Sequence, residues 1–428
     1  MKKLLYIAYY FPPAGGPGVQ RSLKFARYLP DHGWLPTVVT VDPNHAAWPA
    51  LDETMVRELP ASVQVVRTRS RDPYAAYAKL RGQKKAESVG VGFADHVAPG
   101  VFEQLARFVR ANLFIPDARL GWVRFAKKAV RQLVESGEFD AILTSGPPHS
   151  SHLVGRWAGK TFGLPWLADF RDPWTEVSYY DQLPFLPWSR AIDRRYERLV
   201  LRDATSVITV SRAVADLLRA KSERAVAVIS NGFDPEDLTG IVPIRGGGFR
   251  VVHTGTLTES QNPAGAWQAI RSLRDEGADV RVHLIGRVDA SVRQSIEAAG
   301  ISEALEVTAY VPHRQALAYM AGAGCLLMSV PRTKEAAGIL TGKVFEYLAS
   351  GPPILATGPV DSDPARLIRE CSAGDMFDYD DRDAIRGFLD KHYTAGAALG
   401  GGRSDYLAQF TRQELTGELA RELNRIAT

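Results

Sequence analysis

Short apolar runs alternate along the chain with longer stretches in which apolar residues recur at helical spacing. "LLYIAYYF", "PTVVTVD", "VQVVRT", "DAILTSG", "PWLADFRD", "TSVITVS" and "VAVISNG" predict strands. Most are continuous rather than alternating, as strands of a parallel sheet covered on both faces must be. "GVQRSLKFARYLPDHG" and "VRFAKKAVRQLVESG", lying between them, have the spacing of amphipathic helices. A repeated strand–helix unit predicts a doubly wound parallel sheet.

The pattern pauses after Asn231-Gly232, where "DPEDLTGIVPIRGGGF" is rich in Gly, Pro and charge and reads as a linker. A second series follows: "FRVVHTG", "VRVHLIG", "LEVTAYV", "CLLMSV" and "PPILATG", with helical stretches such as "NPAGAWQAIRSLRDEG" between. The expected organisation is an α/β chain of two Rossmann-like domains, 1–233 and 249–402, joined by a linker at 234–248. A ligand is expected in the cleft at the strands' carboxyl ends. Residues 69–100 are polar and irregular, and read as a mobile insertion. The amphipathic tail, residues 403–428, predicts a last helix.

A length of 428 residues already favours two cores over one. A net charge of +4 suits an anionic ligand or membrane surface and is too weak to argue for nucleic acid. The two cysteines, Cys325 and Cys371, have no metal-like spacing, which predicts a reduced, cytoplasmic compartment. "MKKLLYIAYYFPP" has a basic start, but its apolar run is short and breaks at Pro12-Pro13, so it reads as a buried strand rather than a signal peptide. No stretch reaches transmembrane length.

Four motifs carry candidate chemistry. After the first strand, Gly15, Gly16 and Gly18 make a tight turn before a helix, where backbone can approach a phosphate or a sugar hydroxyl. The spacing is not G-x-G-x-x-G, which disfavours a nicotinamide dinucleotide; a turn without a ligand is the plain alternative. In "LTSGPPHSSHLVG", His149 and His152 stand at a strand end, with Ser150 or Ser151 as helix caps. A structural hydrogen bond is the plain role for such a histidine.

"PWLADFRDPW" ends a strand with Asp169, Arg171 and Asp172. Period two sets Asp169 and Arg171 on one side, either as a structural ion pair or as chemistry at a strand's carboxyl end. In "GILTGKVFEYLASGPPIL", Thr341 stands where it could cap a helix. Free N–H groups there would meet a diphosphate, Lys343 would add charge, and Glu346 could accept both hydroxyls of a ribose. The alternative is a helix with two solvent-facing charges. Finally, "VFEQLARFVRANLF" and "RLGWVRFAKKAVRQL" mix aromatics with Arg107, Arg110, Arg119, Arg124, Lys127, Lys128 and Arg131. Such a face fits an anionic membrane, or simply a solvated helix.

On these residues the chain resembles the retaining nucleotide-sugar glycosyltransferases of the GT-B fold, family 4, over nearly its whole length. "PPAGGPGVQRS" is similar to that family's N-terminal loop. "SVITVSRAVADLL" and "VAVISNGFDPEDL" are similar to its landmarks before the linker, and "FRVVHTGTL" to the opening of its second domain. "GKVFEYLASGPPIL" resembles the carboxyl half of its Glu-x7-Glu donor motif. The resemblance implies transfer from a nucleoside diphosphate sugar, with retention and without cofactor or metal, to a saccharide or lipid-linked acceptor. It makes 1–233 the acceptor side, with 403–428 packing back onto it, and 249–402 the donor side.

By that likeness Glu346 holds the ribose, and Gly338, Ile339, Leu340, Thr341 and Lys343 meet the donor, with Gly15 and Gly16 approaching its sugar. Asp169, Arg171, Asp172 and His149 are the candidates for acceptor chemistry. Three departures stand out. The motif's first Glu falls on Gly338, with Glu335 off register, so the N–H groups of Gly338 and Ile339 are expected to take over sugar contacts. Thr256 and Gln261 replace the family's Arg and Lys, leaving Lys343 and Arg21 as substitute cations, with Arg332 and Arg287 behind them. Arg171 stands roughly where the family often has a His. This variant pattern is shared by relatives that build surface polysaccharides, which points to cell-surface polysaccharide or glycolipid synthesis, and the basic aromatic face adds peripheral contact with the inner membrane face. A nucleotide-sugar 2-epimerase, or a regulator that binds nucleotide sugar without turnover, are the rival readings.

Overall fold

The computed structural model describes residues 1–46, 48, 51–71, 101–177, 180, 183–396 and 404–427. The polar insertion expected at 69–100 lies almost wholly outside the described residues. The chain divides into two compact units, Met1–Ser230 with Arg412–Thr428, and Asn231–Thr411.

The first unit is built on seven parallel strands: β1 (Lys2–Ala8), β2 (Trp34–Val41), β3 (Gln64–Thr68), β4 (Ala141–Gly146), β5 (Trp166–Phe170), β6 (Ser206–Thr209) and β7 (Val226–Val228). Their order is β3-β2-β1-β4-β5-β6-β7. The register runs Lys2↔Trp34 between β1 and β2 and Leu4↔Ala141 between β1 and β4. The apolar run of β1 serves two cores. Leu5 and Ile7 join Trp122, Val154 and Trp166 on one face, while Leu4 and Tyr6 join Phe25, Leu29 and Trp34 on the other. Side chains that alternate across a strand make a continuous apolar run necessary wherever both faces are covered. The helix Arg412–Ile426 completes the second core, burying Leu415, Leu419 and Leu423 in the cluster that holds Leu4 and Phe25.

The second unit has six parallel strands: β8 (Phe249–Thr254), β9 (Val280–Ile285), β10 (Leu305–Thr308), β11 (Cys325–Ser329), β12 (Ile354–Thr357) and β13 (Gly374–Phe377). Their order is β10-β9-β8-β11-β12-β13. β13 has no counterpart in the sequence reading. It has only two large apolar residues in "GDMF" and gains its identity from pairing with β12, Ile354↔Gly374. Residues 234–248 are not a bare linker: they contain the helix Pro235–Leu238 and donate from Ile244 N–H to the Ala318 carbonyl, within the second unit. The tail also divides, since Phe233 N–H bonds the Phe410 carbonyl in the second unit whereas Arg412 onward belongs to the first.

Both sheets are doubly wound and reverse strand direction of travel beside their first strand, at β1/β4 and at β8/β11. Loops leaving the carboxyl ends there diverge and open a crevice, which is where open α/β sheets hold ligands.

Candidate functional site

In the first unit β1 ends in a loop whose Gly16 has φ +98, a left-handed angle, and caps the helix Pro17–Tyr28 without a side-chain bond. Gly15 is buried and Gly16 half-buried. One turn into that helix Arg21 points back under the sheet. Its Nε and Nη2 donate to Asp169 at 3.0 and 2.9 Å, and Nη1 donates to the Ser230 carbonyl at 2.8 Å. Ser145 Oγ donates to the same carboxylate at 3.0 Å. The side chains of Arg21 and Asp169 are 1% and 0% exposed. The ion pair expected between Asp169 and Arg171 is not formed: Asp169 pairs with Arg21 instead. That pairing removes Arg21 as a substitute diphosphate cation and leaves Asp169 enclosed rather than facing an acceptor.

Arg171 instead donates to three backbone carbonyls, those of Gly146, Gly18 and Pro147. It ties the β4 loop to the first turn of the helix after the Gly-rich loop, a fork matched to carbonyl oxygens rather than to a carboxylate. Asp172, next along, is exposed. His149 is buried and stacks on Trp174, ring centroids 4.4 Å apart at 7°. Burial, with His152 and Arg171 nearby, holds its basicity well below the ordinary histidine value, so it is neutral at neutral pH. His152 is likewise pushed down to about 3 and bonds Thr144 Oγ1 at 2.8 Å. Neither Ser150 nor Ser151 caps the helix Ser150–Phe162. The Asp117 carboxylate does so from outside, accepting from Ser150 N–H at 2.8 Å.

In the second unit the helix Gly342–Ser350 starts beside β8 and β11. Thr341 occupies its N-cap position with extended angles, but its side chain makes no capping bond. The first-turn N–H groups of Gly342 and Lys343 have no acceptor inside the helix. The sugar contacts expected of Gly338 and Ile339 N–H are not available, because both close a 3-10 turn onto the carbonyls of Glu335 and Ala336. Ile339 and Leu340 pack their side chains against the core.

Lys343 crosses from this helix to the end of β8. Gly255 there has φ +103, and a Cβ on it would fall 2.4 Å from Lys343 Nζ. The left-handed angle is what favours glycine there; a Cβ would push the flexible end of Lys343 aside. Burial lowers the Lys343 ammonium to about 8, with Glu346 one turn on opposing the shift. Its charge also helps hold His253 neutral, at about 3, after burial. Thr256, just beyond, is exposed. Gln261 is used internally, its Oε1 accepting from Thr258 and its Nε2 donating to the Ser329 carbonyl at 3.0 Å. Arg332 pairs with Asp380 at 2.9 Å and lies over Tyr379.

Three residues that the sequence reading did not single out shape this site. Tyr347 OH accepts from Thr254 N–H at 2.9 Å, fastening the helix to β8. His253 bonds the Leu327 carbonyl through Nδ1 at 2.9 Å. His313 Nε2 lies 3.0 Å from Glu346 Oε1. The only sequence signal for Tyr347 was its place four residues after Lys343, one turn further along the helix. The structure thus brings Thr256, Thr341, Lys343 and Glu346 to one end of the second sheet, and Gly16, His149, Arg171 and Asp172 to one end of the first.

The basic aromatic face is narrower than its sequence suggests. Trp122 is buried and donates to Thr68 Oγ1, and Arg119 is buried over the Tyr9 ring. Lys127 and Arg131 lie over Trp157, and Arg124 over Phe125, while Phe108 and Leu113 are exposed. Among the described residues no helix is long and apolar enough to cross a membrane, and no three His, Cys, Asp or Glu side chains are grouped to hold a metal ion.

Two Rossmann-like units in one chain, seven and six parallel strands wide, are the GT-B architecture of glycosyltransferases. The family model described as "Glycosyl transferase 4-like domain" matches residues 15–232, and "Glycosyl transferases group 1" matches 236–385; the chain belongs to this glycosyltransferase family. Its fold is similar to that of sucrose-phosphate synthase from Thermosynechococcus elongatus, with a TM-score of 0.62 and 13% identity over 100% of this chain and 96% of that one. It is similar to HepE from Anabaena, solved with UDP and glucose, at TM-score 0.60 and 16% identity over 99% of this chain and 100% of that one. It is also similar to WaaG, a glycosyltransferase involved in lipopolysaccharide biosynthesis, at TM-score 0.51 and 13% identity over 99% and 97%. A comparison with curated protein sequences gives no match.

Proposed function

We propose that this glycosyltransferase moves a sugar from a nucleoside diphosphate sugar to an acceptor hydroxyl with retention at the anomeric carbon, without a metal, in the synthesis of a cell-surface polysaccharide or glycolipid. The observation that carries the reading is Lys343 at the uncapped head of the helix Gly342–Ser350, one turn before Glu346. A departing diphosphate needs positive charge more than it needs a base, and an ammonium beside unpaired helix N–H groups supplies it. Glu346 accepts the ribose hydroxyls. Thr256 replaces a cation near the diphosphate, so Lys343 bears most of that charge.

On the acceptor side the exposed Asp172 is better placed than Asp169 to meet a hydroxyl, and Arg171 acts by fixing the loops around it. His149, neutral and stacked on Trp174, can hydrogen-bond an acceptor but is a poor base. The basic segments around Phe108 and Leu113 bring the enzyme to the anionic cytoplasmic face of the inner membrane, where a lipid-linked acceptor resides. HepE's bound UDP and WaaG's lipopolysaccharide role support a donor and a pathway of this kind.

The test is a thermal-shift and turnover screen with UDP, GDP, ADP and dTDP sugars, in chelator, on wild type and Glu346→Ala. Stabilisation by one nucleotide class that the variant loses, with slow release of nucleotide and an α-configured product from an α-donor, is the expected result. Interconversion of the donor at C2 without any acceptor would replace the reading with the epimerase. Binding without turnover in the presence of lipid-linked acceptors would replace it with a regulator.

A further inference from the structure

The Glu346 carboxylate is not left to find its own conformation. His313 opens the helix His313–Ala321, which packs against the helix Gly342–Ser350. Its Nε2 lies 3.0 Å from Glu346 Oε1, and both side chains are 22% exposed. An ionised carboxylate can only accept, so Nε2 carries the proton and donates. The contact spans 33 residues of sequence and joins the first turn of one helix to the second turn of the other, each itself held by the core.

We infer that His313 is a positioning residue for Glu346, and that the pair makes this site select ribonucleoside diphosphates over their 2′-deoxy counterparts. The inference rests on the donor site proposed above and narrows its substrate class. A glutamate has three side-chain torsions to lose when it binds, and a hydrogen bond already made in the free protein removes much of that loss beforehand. A fixed carboxylate presents its acceptors in one geometry. The adjacent 2′- and 3′-hydroxyls of a ribose supply two donors to that geometry. A 2′-deoxyribose supplies one and leaves carboxylate acceptor capacity unpaired in a half-buried place, which costs more than the bond alone. Without His313 the carboxylate swings toward water, and a ribose then gains little over a deoxyribose.

The measurement is calorimetric titration with UDP, GDP and ADP and with their 2′-deoxy forms, following whichever base binds. Wild type is expected to prefer the ribonucleotide by roughly tenfold to a hundredfold, the worth of a hydrogen bond to a charged group. His313→Ala should weaken ribonucleotide binding and leave the deoxynucleotide nearly unchanged, so that the ratio falls severalfold. His313→Gln, whose amide N–H also donates, should recover part of the ratio. The double variant with Glu346→Ala should be no worse than Glu346→Ala alone. His313→Leu, which keeps bulk and drops the donor, reads the same ratio if the alanine variant folds poorly.

A general loss of packing would lower both affinities together and leave the ratio intact, and that result overturns the positioning role. A wild-type ratio near one overturns the ribose selection while the donor site stands. Absence of binding by all six nucleotides overturns both.

Discussion

At the reversal between β1 and β4, Arg21 and Asp169 are both fully enclosed and hold one another. At the reversal between β8 and β11, Lys343 is half-buried and carries its charge over the bare backbone of Gly255. The topology of the two places is the same, and it offers each a diverging pair of loops and a helix head. The difference lies in what the nearest cation finds. In the first unit a carboxylate and the serine on the neighbouring strand saturate it, so the locus contributes stability and loop position. In the second unit Lys343 feels the charge of Glu346 a turn away, and on the proposed reading its own charge serves a ligand. A strand-order reversal marks where chemistry can be placed; the pairing of its charges decides whether it is.

Substitutions on each side sharpen that contrast. The largest expected effect is Asp169→Ala, which strands the Arg21 guanidinium in the core and should cost the first unit about 3–5 kcal/mol. Denaturant unfolding should show it, with nucleoside diphosphate affinity unchanged. A loss of nucleotide binding with stability retained would reverse the roles assigned to the two loci. Lys343→Ala should do the opposite, weakening nucleoside diphosphate binding by about tenfold to a hundredfold, as loss of a charged hydrogen bond does. Its melting temperature should hardly move.

Gly255→Ala should combine both effects at smaller size. The left-handed angle costs about 1–2 kcal/mol for a residue with a Cβ, and the methyl displaces Lys343 Nζ. A titration checks it by showing a weaker diphosphate affinity together with a lower melting point. The mildest test is pH. The Lys343 ammonium, lowered to about 8, is the form that attracts phosphate, so affinity is full below that pH and declines as pH rises through it. Affinities measured between pH 6.5 and 9.5 should show this decline in wild type and lose that component in Lys343→Ala.

Much of the architecture was legible beforehand, because twelve short apolar runs, most of them continuous and bounded by turn residues, have the length and pattern of strands covered on both faces. β13 did not, since its pairing rather than its composition makes it a strand. In the first unit, period two put Asp169 and Arg171 side by side but could not choose their partners, and β5 ends before Arg171. Arg21 reaches Asp169 across 148 positions of sequence, and three carbonyls claim Arg171. In the second unit, Lys343 and Glu346 were readable as a helix head. The 3-10 turn that consumes Gly338 and Ile339 N–H, and His313 beside Glu346, depend on tertiary contacts that leave no periodic trace.

The helix Arg412–Ile426 has a consequence for how the chain is made. The core that holds Leu4, Phe25 and Leu29 is closed by Leu415, Leu419 and Leu423. During synthesis that apolar face stands open while the whole second unit is translated, on the order of 10–40 s at ordinary elongation rates. The second unit is contiguous and can settle as it leaves the ribosome. The first must keep its unfinished flank from sticking to other chains until the helix Arg412–Ile426 arrives, so a ribosome that stalls or drops off shortly before residue 412 releases a molecule with a finished second unit and an adhesive first unit.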